Sequence, residues 1–145
     1  MISGSVADAK HIYFGMSDTN LPVGLDKRTG QPVLEHDTKV WTCATPVLAG
    51  AAAYGASMRG ELFALDAATG RQQLSWRTPG SLADDFGLLD AKSGKFDSRR
   101  LFEGPQPMLA SVEHVKRLGA YISTPAWHDG QLIAVTADGR TLFFR

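Results

Sequence analysis

Three aspartates occupy the same position in three copies of a short motif, and they are the first candidates for chemistry. The motif is Leu-Asp, two variable residues, Thr or Ser, and Gly, and its aspartates are Asp26, Asp66 and Asp90. Converging carboxylates could hold a metal ion or act as a general acid and base. In this motif, however, an aspartate accepts hydrogen bonds from backbone N–H groups two or three residues on, and the glycine supplies the positive φ that reverses the chain. We therefore interpret all three aspartates as turn-capping residues at separate places in the fold.

The densest group of carboxylates is a second candidate, this time for calcium. It comprises Asp84, Asp85, Asp90 and Asp97. A calcium loop needs acidic residues at alternating positions, a glycine at the bend and a terminal glutamate. Here the spacing is different and the glutamate is missing. The segment is therefore predicted to be a solvated loop, and no metal site is expected.

The histidines show no metal-binding spacing. The four of them, His11, His36, His114 and His128, form neither an H-x-x-x-H nor an H-E-x-x-H motif. His128 lies between Trp127 and Asp129 at a turn, where a hairpin could line a ligand-binding face. The simpler interpretation, which we favour, is that His128 is a residue leading into a turn.

The single cysteine, Cys43, lies in an apolar stretch and is predicted to be packed rather than reactive. One cysteine cannot form an internal disulfide, and it excludes a metal centre built from several cysteines. Neither a G-x-S-x-G motif nor a phosphate-binding G-x-x-x-x-G-K-[ST] loop occurs. The sequence thus predicts no catalytic residue and no metal ligand, and it leaves any cofactor-binding residue unknown.

Composition narrows the class of protein that must position these residues. The chain has 145 residues, 43% of them apolar, with 15 Lys and Arg balanced by 15 Asp and Glu. Zero net charge argues against nucleic-acid binding through a basic face. No apolar run reaches the ~18 residues of a membrane helix, and no export signal is expected in the first 20 residues. One soluble globular domain is predicted.

The motif copies belong to a longer internal repeat. Asp26 and Asp66 are 40 positions apart, and Asp90 follows 24 positions later. A second signature, Thr-Pro before an apolar stretch, occurs at Thr45-Pro46 and at Thr124-Pro125, which are 79 positions apart. Because 79 is about twice 40, the two motifs follow the same spacing, which indicates structural repeats. We divide the chain into repeats 1–40 and 41–76, an atypical segment 77–120, and a partial repeat 121–145.

The local chemistry of the repeats predicts β-structure, and that of the atypical segment predicts a helix. Asp129-Gly130 between apolar runs indicates a two-residue hairpin turn, and Arg59-Gly60 and Asp138-Gly139 indicate two more turns. Each full repeat thus predicts a four-stranded antiparallel unit. Within 77–120, apolar residues at 108, 109, 112, 115 and 118 have helical spacing, with Gly119 as a stop. This segment is predicted to be a short helix or an irregular insertion.

With these features in view, the chain resembles the PQQ-like (pyrroloquinoline-quinone-type) β-propeller repeat family. Residues 60–70, GELFALDAATG, fit the family pattern G-x-[LV]-[YF]-A-L-D-x-x-T-G, and Ser123-Thr124-Pro125 repeats its opening. The family often has a tryptophan after T-G that docks neighbouring blades, for which Trp76 and, more loosely, Trp41 are the candidates. The resemblance implies an all-β fold of three to three and a half four-stranded blades in an incomplete ring, with an insertion at 77–120. A closed ring uses 4–8 blades, so we expect either a piece of a larger propeller, which we favour, or a ring completed by several chains.

The resemblance implies two functions, because such repeats occur both in quinone-dependent dehydrogenases and in non-enzymatic scaffolds of the bacterial cell envelope. We favour a non-catalytic module that contacts protein partners, or the remaining blades of its propeller, without a cofactor. The alternative is a fragment of an alcohol or sugar dehydrogenase with PQQ and Ca²⁺ at the propeller axis. Such enzymes often carry paired cysteines near the quinone, whereas this chain has one cysteine. The resemblance also implies a periplasmic or extracellular location and no membrane insertion.

Overall fold

The chain folds into three antiparallel β-sheets joined by short turns and one helical segment. The computed structural model describes residues 2–16, 22–79, 87–88, 90, 92 and 97–145. Sheet 1 contains β1 (Ile2–Ala7), β2 (His11–Met16), β3 (Pro22–Asp26) and β4 (Pro32–Glu35). Sheet 2 contains β5 (Val47–Ala49), β6 (Ala52–Ala56), β7 (Glu61–Asp66) and β8 (Gln72–Arg77). Sheet 3 has three strands, β9 (Ala126–His128), β10 (Gln131–Val135) and β11 (Thr141–Phe144).

Each sheet is a meander in which consecutive strands pair, so the predicted architecture of an incomplete propeller is confirmed. In the partial repeat 121–145, the described residues form the three strands of sheet 3. Between sheets, the first strands β1, β5 and β9 approach one another. The Thr45 amide, just before β5, donates to the Thr124 hydroxyl at 3.3 Å, just before β9. These first strands therefore form the inner edge of the sheet array.

The 40-residue repeat of the sequence is reproduced in the strand register of sheets 1 and 2. In sheet 1 the pairing shifts between Gly24 and Leu25, and in sheet 2 it shifts between Ala64 and Leu65, 40 positions later. The amide of Asp26 donates to Gln31 O, and the amide of Asp66 donates to Arg71 O, both at 2.9 Å. The same irregularity at the same place shows that the two sheets are copies of one structural unit.

The segment between sheets 2 and 3 is helical in its second half. It contains α1 (Ser98–Leu101) and α2 (Pro107–Arg117), as the helical spacing predicted for the latter. Gly119, at φ 63°, follows the end of α2. Its amide donates to Lys116 O at 2.9 Å, and the Ala120 amide donates to Val115 O at 3.2 Å. This paired arrangement is the usual way in which a glycine ends a helix. Of the third motif copy, 89–94, only Asp90 and Lys92 lie within the described residues.

The core lies between the sheets rather than within any one of them. Tyr13 and Leu34 of sheet 1 pack against Ala53, Phe63 and Leu65 of sheet 2, and all five are buried. The ring of Phe63 lies over its cross-strand neighbour Gly55, where a Cβ would come within 2.3 Å of it. A larger residue at position 55 would displace that ring from the core.

The alanine run 51–53 contributes small side chains to this packing only in part. Ala53 belongs to the core between sheets 1 and 2, and Ala52 is also buried, whereas Ala51 is exposed in a turn. Ala52 and Ala53 begin β6, the second strand of sheet 2. Of the three alanines, Ala53 is the one that belongs to the core between sheets 1 and 2.

Sheets 2 and 3 share a second core that includes one predicted docking residue. Leu62 and Ala56 of sheet 2 pack against Leu132 and Ala134 of sheet 3. The ring of Trp76 meets that of Phe144 edge-on, with centroids 4.8 Å apart. Trp76 therefore lies at the contact between sheets 2 and 3, where the resemblance implies a docking tryptophan. Trp41 belongs instead to a third cluster, in which sheet 2 meets the helical segment; its buried members are Met58, Leu88, Leu101, Leu118 and Ala120.

This packing predicts unequal effects for the same substitution at two leucines. Leu65 is 1% exposed between sheets 1 and 2, whereas Leu109 on α2 is 56% exposed. We expect Leu65→Ala to lower the free energy of unfolding by about 2–5 kcal/mol, because it leaves a cavity in the core. Leu109→Ala should change it by less than about 0.5 kcal/mol. Urea unfolding followed by circular dichroism measures both, and equal effects would contradict this account of the core.

Candidate functional site

The motif aspartates each serve their own turn. Asp26 Oδ1 accepts from the amides of Arg28 and Thr29 at 2.9 and 2.7 Å, and from the Thr29 hydroxyl at 2.9 Å. Asp66 Oδ1 accepts from Ala68, Thr69 and the Thr69 hydroxyl in the same way. These bonds, chiefly those from the threonines, hold the pKa of both carboxyls below the usual range. The contacts are those expected of turn-capping residues, and the two aspartates lie in different sheets.

The remaining predicted acidic residues also make local contacts where they are described. The Lys92 amide donates to Asp90 Oδ1 at 3.1 Å, which reproduces the first bond of the motif. Asp97 caps α1, accepting from the amide of Arg99 at 3.2 Å and from its guanidinium at 2.9 Å. The Arg99 side chain lowers the pKa of Asp97. Asp84 and Asp85 lie outside the described residues.

The four histidines lie in four different environments. The half-buried ring of His36 packs against that of Phe63, and burial lowers its pKa. His114 Nδ1 lies 3.1 Å from Leu101 O and so links α2 to α1. His128, the last residue of β9, is exposed, with its Nε2 3.2 Å from Asp129 Oδ2. Asp129 and Gly130 both have positive φ, 47° and 75°, as the predicted hairpin turn requires.

His11 belongs to a polar cluster that the sequence did not indicate. Asp8 follows β1 and accepts from the amides of Lys10 and His11, both at 2.7 Å. Its second oxygen accepts from the Tyr13 hydroxyl at 2.9 Å and lies 3.4 Å from His11 Nδ1. The Tyr13 hydroxyl also reaches Ala67 O of sheet 2 at 3.0 Å. The only local signal was an aspartate three residues before a histidine at a turn, which is common and unspecific.

The electrostatics of this cluster favour a structural role, in which Asp8 and Tyr13 hold two sheets together, over a catalytic role. Desolvation opposes ionisation of Asp8, but the bonds from the His11 and Lys10 amides and from Tyr13 outweigh it and lower its pKa to about 2. Burial and the negative Asp8 raise the pKa of Tyr13, so its hydroxyl keeps its proton. A cleft of about 200 Å³ adjoins the cluster. The single hydroxyl proton of Tyr13 is shared between the Asp8 carboxylate and the Ala67 carbonyl, so the hydroxyl links the turn after β1 to the turn after β7.

Cys43 is half-buried in the cluster between sheet 2 and the helical segment. Its sulfur lies 3.9 Å from that of Met58, and burial raises the pKa of the thiol. A raised pKa leaves little thiolate at neutral pH. These observations agree with the prediction of a packed cysteine.

Three exposed apolar side chains lie together on α2. Met108, Leu109 and Val112 are 73%, 56% and 45% exposed, and we call these three residues the α2 surface. A cleft of about 250 Å³ beside it is lined by Pro105, Gln106, Leu109, Ala110 and Glu113. The apolar residues of 108–118 lie in two environments. Val115 and Leu118 pack against the core, whereas the α2 surface faces solvent.

The residues near the inner edge do not resemble a site for PQQ and calcium. Calcium takes six to eight oxygen ligands, carboxylates among them. Apart from Ile2, whose side chain is not described, β1, β5 and β9 supply Ser, Gly, Val, Ala, Leu, Trp and a single titratable residue, His128. Within the described part of the chain, no three His, Cys, Asp or Glu side chains come together as a metal-binding group. The donor set of these strands does not fit the ion that accompanies the quinone.

Comparisons with known proteins identify the fold. No family model and no curated protein matches the chain. Among 50 matching chains of solved structures, BamB from Moraxella catarrhalis superimposes with a TM-score of 0.52 at 21% sequence identity. The match covers 99% of this chain and 46% of the BamB chain, so the chain spans about half the length of this structural neighbour. In the ranges that the structure describes, neither helix has the length and apolar character needed to cross a bilayer.

The low pKa of Asp8 predicts an acid-sensitive contribution to stability. Because folding lowers this pKa from 3.8 to about 2, the stabilisation is complete above the unfolded value and is lost as the pH falls toward 2. We expect Asp8→Asn to be less stable than the native sequence at neutral pH and to lose less stability between about pH 4 and about pH 2. Urea unfolding across this range measures it. Asp129→Asn, in an exposed turn, is the control and should keep the native pH profile; an identical profile for Asp8→Asn would contradict the cluster's role.

The burial of Cys43 predicts slow alkylation. We expect the native protein to react with iodoacetamide at least roughly tenfold more slowly than the urea-unfolded protein, because little thiolate is present and access is restricted. Mass spectrometry of quenched samples measures the rate. Ala68→Cys in a Cys43→Ser background places a thiol in an exposed turn. Native-state rates as fast at position 43 as at position 68 would show that Cys43 is accessible and reactive.

Proposed function

We propose that the chain is a non-catalytic propeller module that binds a protein partner through the α2 surface. The observation that carries this proposal is the exposure of Met108, Leu109 and Val112 side by side on an ordered helix. Large apolar side chains grouped on a surface mark interaction sites, because each costs free energy in water that a partner recovers by covering it.

The helix presents these residues on a firm support. Val115 and Leu118 anchor its inner face in the cluster with Leu101 and Met58. His114 joins it to α1, and the glycine-terminated C-terminal end satisfies its last carbonyls. A surface held in place before binding loses little conformational entropy when a partner docks.

The chemistry of the surface indicates the kind of partner. Its three apolar side chains lie beside a cleft whose rim carries Gln106 and Glu113, and Glu113 pairs with Lys116 at 3.3 Å. An apolar patch with a mixed-charge rim suits a protein groove that accepts one helix face. It does not suit a nucleic acid, which would require a basic surface.

The alternative, a fragment of a PQQ-dependent dehydrogenase, has less support. The inner strands offer too few oxygen donors for calcium, and the described carboxylates discussed above are engaged in turns, in the cap of α1 or with Tyr13. We therefore propose that the module works without PQQ or Ca²⁺. The resemblance to PQQ-like repeats supports a place in the bacterial cell envelope, which we include in the proposal.

The partner can be identified by photo-crosslinking from the α2 surface. We place a benzophenone amino acid at Met108 of the full chain in its native cells and expect one discrete protein adduct, identified by mass spectrometry. Leu109→Glu in the same chain should reduce the adduct by about 30-fold, because a central apolar contact is worth at least about 2 kcal/mol. The control position is Arg28, in the exposed turn of Asp26. Identical adducts from positions 28 and 108, or an adduct insensitive to Leu109→Glu, would refute the proposed surface.

A second measurement addresses the alternative function directly. The purified chain is supplied with PQQ, Ca²⁺, a panel of alcohols and sugars, and an artificial electron acceptor. We expect no reduction of the acceptor above the protein-free rate. Protein-dependent turnover would overturn the non-catalytic assignment, whatever the crosslinking shows.

A further inference from the structure

Sheet 3 has a second apolar face that no described part of the chain covers. Along β10 and β11, Leu132, Ala134 and Phe144 point toward sheet 2, and the alternate residues point away from it. These alternate residues are Ile133, Val135 and Phe143, which we call the tail face. Phe143 is 64% exposed and Val135 is 42% exposed, and Ile133 pairs directly with Phe143.

The internal repeat shows what this face is built to contact. The pairs Leu132–Phe144 and Ala53–Leu65 occupy the same register 79 positions apart. On that offset the tail face corresponds to Tyr54, Ala56 and Ala64 of sheet 2. In sheet 2 this face is covered by sheet 3, and Ala56 and Ala64 are buried. The tail face thus continues an interface that the molecule already forms between its own sheets.

Sheet 1 has the complementary face. The register of β2 and β3 aligns Ile12, Phe14 and Leu25 with Ala53, Gly55 and Leu65 of sheet 2. In sheet 2 this is the face that packs on the preceding sheet. In sheet 1 no described sheet packs on this face, and Ile12 is 36% exposed while Phe14 and Leu25 are half-buried. We call Ile12, Phe14 and Leu25 the head face.

We infer that two copies of this chain associate head to tail, with the head face of one copy covering the tail face of the other. Each copy holds three sheets, so a pair supplies six, within the four to eight of closed propellers. Two copies also match the length of the structural neighbour, of which one copy spans 46%. Zero net charge places no repulsion between the copies. A head-to-tail contact of this kind closes into a ring when the rotation between copies permits. The inference is independent of the proposed function, because the α2 surface takes no part in it.

The test is the mass of the protein in solution, measured by light scattering on a size-exclusion column from low to high micromolar concentration. We expect the native chain to reach about 31 kDa, twice its 15.6 kDa. Phe143→Glu and Ile12→Lys should each weaken association at least about 30-fold and return the mass to that of one chain. Phe102→Glu is the control, because Phe102 is 41% exposed at the end of α1 and belongs to neither face, and it should keep the mass of the pair.

A mixing experiment separates a head-to-tail contact from other associations. Each single variant retains one intact face but has no intact partner face in its own population. Mixed in equal amounts, Phe143→Glu supplies the head face and Ile12→Lys the tail face, so a two-chain species should reappear. Circular dichroism confirms that both variants stay folded. A native chain that remains at 15.6 kDa throughout, or variants that keep the native mass, or a mixture that does not associate, would each overturn the inference.

Discussion

The fold depends on the mutual covering of apolar sheet faces. A single repeat unit cannot bury its apolar faces by itself, and each sheet of this chain carries apolar side chains on both faces. Sheet 2 satisfies the constraint fully, with Phe63 and Leu65 against sheet 1 and Leu62 against sheet 3. The need to cover these faces explains why strand register must be fixed and why some apolar side chains remain exposed.

Covering both faces requires that the register of every strand be held, because a slip of one residue would turn each side chain to the opposite face. The aspartate turns provide this control. Asp26 and Asp66 bind the same pattern of amides and hydroxyls, and the same register shift precedes both turns. The Tyr13 hydroxyl adds a contact between sheets by joining the Asp8 turn to Ala67. These carboxylates therefore stabilise turns and strand register.

The exposed apolar side chains of α2 lie where the sequence repeat is interrupted. The helical segment lies between sheets 2 and 3 in the chain, and three apolar side chains of α2 remain exposed there. The spacing of its apolar residues predicts the helix but not which of those residues are covered. Helical spacing shows that residues 108, 112, 115 and 118 share a side, but whether a neighbour covers that side depends on residues far away in sequence.

The sequence by itself determined the all-β architecture, the two copied turns, the hairpin at Asp129-Gly130 and the end of α2 at Gly119. These features are decided by hydrogen bonds and backbone angles within a few residues, which a local pattern records. Only the tertiary structure decided that Tyr13 reaches Ala67, that Trp76 meets Phe144 and that α2 is covered on one side alone. Those contacts join residues that are distant along the chain, and their free energy depends on how complete sheets pack together rather than on any local pattern.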